Sequence, residues 1–126
     1  KRQPYKGFVY TFDETKDIAW LYLVSDMLIT DYSSVMFDYS ILNRPMLFFA
    51  YDLEDYKENL RGFYFDFVND IPGPISRDTD QLIKDIKEYN EDSWKEKYKN
   101  YHDKFNGIDD GHASQKVIDV IKKVSR

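Results

Sequence analysis

Residues 25–50 read SDMLITDYSSVMFDYSILNRPMLFFA, and this stretch decides the fold. It opens with residues 26–30 (DMLIT), a short apolar run of the length and composition of a buried strand. Four residues with polar side-chain ends, Asp31, Tyr32, Ser33 and Ser34, then lead into a helical pattern over residues 35–42. Asn43-Arg44-Pro45 ends that helix, because a proline ring disfavours helical backbone in the residue before it. Residues 46–50 (MLFFA) follow as a second apolar run. Upstream, residues 7–12 (GFVYTF) predict another strand, and residues 17–24 (DIAWLYLV) predict a helix with apolar positions 18, 21 and 24 on one face. Strand, helix, strand, helix, strand within the first fifty residues is the order of an α/β unit with a Rossmann-like parallel sheet flanked by helices.

Beyond position 50 the pattern changes. Residues 51–64 are charged and aromatic around Gly62 and predict a loop, and Ile71-Pro72-Gly73-Pro74-Ile75 predicts a rigid turn. Leu82, Ile83 and Ile86 fall on one helical face, and Trp94, Tyr98, Tyr101 and Phe105 on a second helix. A last helix carries Val117, Ile118, Ile121 and Val124, so the C-terminal third is expected to cover the sheet with helices.

The chain has 126 residues, which fits one domain and leaves little room for a second core. It starts at Lys1 without a methionine and runs at once toward a strand, so it is expected to be a fragment of a longer protein. A net charge of −5 argues against non-specific binding to nucleic acid or anionic lipid, both of which need a basic face. With no cysteine there is no disulfide framework or thiolate metal site, and with only His102 and His112 a zinc site is not expected. No apolar run approaches the roughly 20 residues of a membrane span, so no direct membrane anchor is expected in this chain.

The segment Thr30-Asp31-Tyr32-Ser33-Ser34 is the first candidate site. A strand running into a helix there places amides and hydroxyls over the carboxyl end of the sheet, where ligands bind in open α/β folds. Helix-start amides suit a phosphate without any basic cluster. The competing reading is that Asp31 or Ser33 is only a helix N-cap, worth about 1 kcal/mol. Asp110, His112 and Ser114 form a second candidate at the expected start of the last helix, where His112 can act as donor or base and Ser114 can touch a phosphate. The plainer alternative makes Asp110 a cap and His112 a solvated residue. Arg61 beside Gly62 can grip a phosphate through two parallel hydrogen bonds, or pair with Asp52, Glu54 or Asp55. Asp38, one turn into the helix, faces either the ligand or solvent. Paired-carboxylate, Ser/His/Asp and glycine-rich nucleotide-loop motifs are absent from the sequence.

Taken in order, Asp17-Ile18 with Trp20-Leu21-Tyr22, the run from Ser25 to Ser34, Phe37-Asp38-Tyr39, Arg44-Pro45, Tyr51-Asp52-Leu53 with Tyr56, Arg61-Gly62-Phe63-Tyr64, Pro72-Gly73-Pro74 and Asp110-Gly111-His112-Ala113-Ser114 span nearly the whole chain. This series resembles the C-terminal part of the CDP-glycerol glycerophosphotransferase family. The resemblance implies the donor-binding domain of a GT-B fold, covering residues 1–126 of a longer two-domain enzyme. It also implies the reaction, transfer of glycerol phosphate from CDP-glycerol to a lipid-linked acceptor in teichoic acid synthesis, with release of CMP.

On that resemblance, Thr30, Asp31, Tyr32, Ser33 and Ser34 surround the donor pyrophosphate, with Asp38, Arg61, Asp110, His112 and Ser114 as further donor-site residues. No tight metal and no cofactor are expected. The family's functional histidines lie in upstream segments that this sequence lacks, so the general base is expected outside it and the chain alone is expected to be inactive. His112 is the one local histidine in a family motif. The full-length protein is expected in the cytoplasm, peripheral at the inner membrane face, with the acceptor met by the part not present here. A CDP-ribitol transferase, a non-catalytic nucleotide-binding module, and a nucleotide-sugar transferase in which Asp38 clasps the ribose or sugar remain alternatives.

Overall fold

The computed structural model describes residues 7–12, 15–53 and 66–125. Three strands, β1 (Leu28–Thr30), β2 (Met46–Phe49) and β3 (Ile75–Ser76), form a parallel sheet in the order β1-β2-β3. Leu28 lies opposite Met46 and Thr30 opposite Phe48, while Phe48 faces Ile75 and Phe49 faces Ser76. Met46, Leu47 and Phe48 of the central strand are all buried, the continuous apolar run expected of a strand covered on both faces. The α/β class and the parallel sheet agree with the sequence reading.

The described helices are α1 (Ala19–Val24), α2 (Val35–Ser40), α3 (Phe67–Asp70), α4 (Thr79–Lys87), α5 (Glu91–Asn106) and α6 (Ala113–Val124). Helix α2 packs on β1 and against α5, and α4 packs on β3 and β2. Met36, Tyr39, Met46, Phe48, Ala50, Leu53, Phe67, Ile71 and Tyr101 make one buried cluster, so α2, the sheet, α3 and α5 share a single core. Asp78 and Asn90 cap α4 and α5, their side chains accepting the amides of Gln81 and Asp92. The Ser76 hydroxyl donates to Asp85 Oδ2 at 2.7 Å and ties α4 to β3.

Three expectations are corrected. Residues 7–12 form no strand, and Phe8 and Tyr10 stand 85% and 79% exposed. A strand forms by pairing, and these residues pair with no described strand. The third strand is instead β3, within and just beyond the proline-rich turn. Its ladder uses carbonyls that proline still has: Phe48 N donates to Pro74 O at 2.9 Å and Ala50 N to Ser76 O at 2.8 Å. Finally, every described residue of α6 is exposed, so this helix has the apolar spacing of a cover without packing on the sheet.

Arg44 follows the turn out of α2, where Asn43 takes a positive φ of 50°. Its Nη1 donates to the carbonyls of Leu23 at 2.9 Å and Ser25 at 2.7 Å, while the Tyr39 phenol also donates to Ser25 O. The C-terminal carbonyls of α1 thereby find partners on the neighbouring element. Arg44→Ala is expected to cost about 1.5–3 kcal/mol, the usual worth of hydrogen bonds from a charged donor. The test is the urea midpoint together with amide exchange: the loss should come with faster exchange in α1, and a midpoint equal to wild type would contradict the staple.

Candidate functional site

The carboxyl ends of β1 and β2 lie side by side, and the chain leaves both there. After β1, Asp31 Oδ1 accepts the Ser33 amide at 2.8 Å, which folds the loop into a tight side-chain turn. Ser34 then takes the N-cap position of α2 with helical backbone angles and makes no side-chain cap bond. The capping reading of Ser33 therefore does not apply, and Asp31 shapes the loop from two residues before it. Among the described residues, the amides of Ser34 and Val35 and the hydroxyls of Ser33 and Ser34 donate to no partner. Unused donors turned outward at a strand end are what an anionic ligand needs.

Two hollows open at this edge. One, of about 300 Å³, is lined by Asp31, Tyr32, Ser33, Tyr51 and Asp52. The other, of about 370 Å³, is lined by Ile29, Thr30, Asp31, Phe49 and Tyr51. Tyr51 belongs to both and is 72% exposed. Tyr32 is half-buried, its ring 5.3 Å from Phe67 of α3 and its hydroxyl donating to Asp52 Oδ1 at 2.9 Å. The structure thus brings Thr30, Asp31, Tyr32 and Ser33 to one crevice, with Ser34 next along the chain. It adds Tyr51 and Asp52, which the sequence reading did not rank as site residues. The rule that ligands gather at the carboxyl ends of parallel strands applies to β2 as it does to β1, and it is the signal that points to them.

Asp38 is exposed and opens elsewhere. It lines a groove of about 330 Å³ between α1 and α2, with Asp17, Ile18, Tyr22 and Leu42 among its neighbours. Burial, then the charges of Asp38 and Asp17, push the Tyr22 phenol above its usual range. Asp110, His112 and Ser114 stand at the start of α6, and none of them lines either crevice hollow. Asp110 Oδ1 accepts the His112 amide at 3.0 Å, and its other oxygen pairs with the Lys116 ammonium at 2.9 Å. The Lys116 hydrogen bond, then that of His112, holds the carboxyl below its usual range. Arg61 lies outside the described residues.

A wider hollow, about 670 Å³, runs along α5 between Asn43, Glu96, Lys99 and His102. It touches no strand end, and its lysines alternate with carboxylates that offset them, so it lacks the convergent donors of the β1–β2 crevice.

The chain matches the family model described as CDP-glycerol:poly(glycerophosphate) glycerophosphotransferase over residues 1–123. It is 46% identical over 122 residues to the teichoic acid poly(glycerol phosphate) polymerase of Bacillus subtilis (strain 168), covering 95% of this chain and 16% of that protein. It is 44% identical over 118 residues to the teichoic acid glycerol-phosphate transferase of Staphylococcus aureus (strain NCTC 8325 / PS 47), covering 92% of this chain and 30% of that one. The chain therefore spans less than a third of either relative. Among solved structures, a histidine-to-asparagine variant of the wall teichoic acid polymerase TagF with CDPG superimposes with a TM-score of 0.76 at 46% identity, covering 87% of this chain and 28% of that one.

Proposed function

The chain belongs to the CDP-glycerol:poly(glycerophosphate) glycerophosphotransferase family, and from that membership we propose that it is the donor-binding domain of a teichoic acid transferase. That enzyme moves glycerol phosphate from CDP-glycerol to a lipid-linked acceptor and releases CMP. The observation that carries the reading is the set of donors that have no partner among the described residues, the Ser34 and Val35 amides and the Ser33 and Ser34 hydroxyls, at the carboxyl edge of the parallel sheet. Support for the donor's identity comes from the TagF structure with CDPG, read as CDP-glycerol.

In this proposal the pyrophosphate lies on the Ser33–Ser34 loop, with Thr30, Asp31 and Tyr32 as its frame. The acceptor hydroxyl oxygen attacks the β-phosphorus, the bond from that phosphorus to the bridging oxygen breaks, and CMP leaves with the bridging oxygen. Phosphoryl transfer of this kind depends on positioning and on donors aimed at the developing charge. The acceptor proton goes to a general base in a part of the family's enzymes that this sequence does not contain. Asp38, on the separate α1–α2 groove, keeps its place as a donor-site residue of the resemblance, where a carboxylate would accept from hydroxyls and repel phosphate. Arg61, Asp110, His112 and Ser114 keep their place as family-motif residues of the donor site. Among the described residues no helix is long and apolar enough to cross a membrane, and the peripheral position at the inner membrane face belongs to this proposal too.

Calorimetric titration of the protein expressed from its complete reading frame tests the reading, with CDP-glycerol, CDP-ribitol, CMP and UMP as ligands. CDP-glycerol and CMP should bind and UMP much more weakly. Ser33→Ala/Ser34→Ala should weaken CDP-glycerol binding by about 10- to 100-fold, the effect of losing about 1.5–3 kcal/mol of hydrogen bonding to a charged group. Stronger binding and turnover of CDP-ribitol would move the donor to the ribitol class, and silence with every cytidine compound would remove the proposal.

A further inference from the structure

Tyr32 is held at both ends. Its ring rests on Phe67, which itself meets Phe48 of β2 edge-on with centroids 5.6 Å apart, so the ring is fixed to the core. Its hydroxyl crosses the crevice to Asp52, a residue 20 positions away that leaves the end of the neighbouring strand. Asp52 has its own support, because the next residue, Leu53, is buried and its amide donates to Ala50 O at 3.3 Å. The loop that presents Ser33 and Ser34 is thus defined from two sides. Asp31 shapes it from within, and Asp52 reaches it from the next strand.

We propose that Asp52 is a positioning residue of the donor site, which holds the Ser33–Ser34 loop in place for the donor phosphates through the Tyr32 phenol. The inference rests on the donor-site reading above. A carboxylate is suited to the task, since it accepts the phenol proton strongly and offers phosphate no attraction of its own. The bond also joins the two strand ends between which the ligand would sit, so a change at Asp52 reaches the serines without Asp52 touching the reacting atoms. Asp52 itself lines the same hollow as Ser33.

Steady-state kinetics on the protein expressed from its complete reading frame, with CDP-glycerol varied, test the role beside a calorimetric titration of the unaltered protein with CDP-glycerol. Asp52→Ala and Tyr32→Phe should each raise the donor KM by on the order of tenfold, short of the roughly hundredfold cost of a 1 Å misplacement at a reacting centre, with the acceptor KM unchanged. Asp52→Asn, whose amide oxygen still accepts the phenol proton, should keep a donor KM near that of the unaltered protein. The double variant Tyr32→Phe/Asp52→Ala should be no worse than the weaker single variant, because both delete one bond.

A donor KM unchanged by Asp52→Ala, losses that multiply in the double variant, or an Asp52→Asn variant as impaired as Asp52→Ala would each overturn the assignment. If Asp52→Ala does not fold, Tyr32→Phe and Asp52→Asn alone decide it by the same contrast. Absence of any heat with the unaltered protein is a different result, which removes the donor-site reading and this role with it.

Discussion

Gly73→Ala is expected to leave the chain largely unfolded. A Cβ on Gly73 would stand 1.9 Å from the Met46 carbonyl oxygen and 2.9 Å from its carbon, both backbone atoms of the central strand. No rotamer relieves such a contact. Either the start of β2 moves, which disturbs the pairing of Met46 with Leu28, or the Pro72–Pro74 turn moves, which breaks the Phe48 N to Pro74 O bond that joins β3 to the sheet. Overpacking that side chains can absorb costs about 1–3 kcal/mol, and a backbone clash exceeds that range. Against a whole-domain stability of about 5–15 kcal/mol, the loss consumes most of what holds the fold. Gly111→Ala is the matched control: its φ of +78° strains an alanine but nothing lies within 4 Å, so about 1 kcal/mol should be lost. Circular dichroism at 25 °C with urea titration reads both, and a Gly73→Ala midpoint no lower than that of Gly111→Ala would refute the clash.

The same close approach shows why one strand was hidden in the sequence. β3 has two residues, and it is a strand only because Pro74 and Ser76 offer carbonyls to amides of Phe48 and Ala50 more than twenty positions back. Local pattern reads Ile71–Ile75 as a turn, and locally it is one. The opposite error at residues 7–12 has the same origin, since alternating apolar residues report a capacity to pair and say nothing of whether a partner is there. β1, β2 and α2 were legible because their signals are local: apolar runs, a polar junction and the Asn43-Arg44-Pro45 stop. The spacing of Val117, Ile118, Ile121 and Val124 likewise revealed an apolar helix face on α6 without revealing what it meets.

The candidate site divides along the same line. Ser33 and Ser34 were legible because a strand–polar–helix junction exposes amides by geometry alone. That Asp31 folds the loop instead of capping the helix required coordinates, because both roles use an aspartate at the same place in sequence. Asp52 required them more plainly, since its bond to Tyr32 crosses from one strand end to the next. Two carboxylates beside a phosphate site look electrostatically wrong in a sequence. In the structure one oxygen of each is engaged by a donor, the Ser33 amide or the Tyr32 hydroxyl, which offsets part of the charge a phosphate would meet.

Asn106→Asp is expected to cost more stability at neutral pH than in acid, and the reason lies in how α5 holds α2. The Asn106 side chain is buried, and its Nδ2 donates to Phe37 O at 2.7 Å and, in a short hydrogen bond, to the Ser40 hydroxyl. Ser40 has already committed its proton to Phe37 O at 2.7 Å, so both groups facing Asn106 are acceptors. The ring of Phe37 is meanwhile fixed between Tyr101 and Phe105 at centroid distances of 5.9 and 5.0 Å, which prevents α2 from turning away. An ionised aspartate at 106 would therefore be buried against two oxygens, and the Ser40 hydroxyl could donate to it only by giving up its bond to Phe37 O. That arrangement raises the folded-state pKa of the new carboxyl above its unfolded value of about 3.9, so its protonated form is favoured by folding. A group raised in this sense gives stability that is present below the unfolded pKa and is lost as pH climbs through the folded one. Relative to wild type, Asn106→Asp should thus lose about 2–4 kcal/mol at pH 7 and recover part of it toward pH 4, while Asn106→Leu, which only removes the donors, should lose about 1–3 kcal/mol at both. Urea midpoints at the two pH values separate the variants, and parallel losses would show that the acceptors do not control the site. Because α2 begins at the serines of the donor loop, Asn106→Leu at a pH where it stays folded should also weaken CDP-glycerol binding, which ties the packing of α5 to the site it supports from behind.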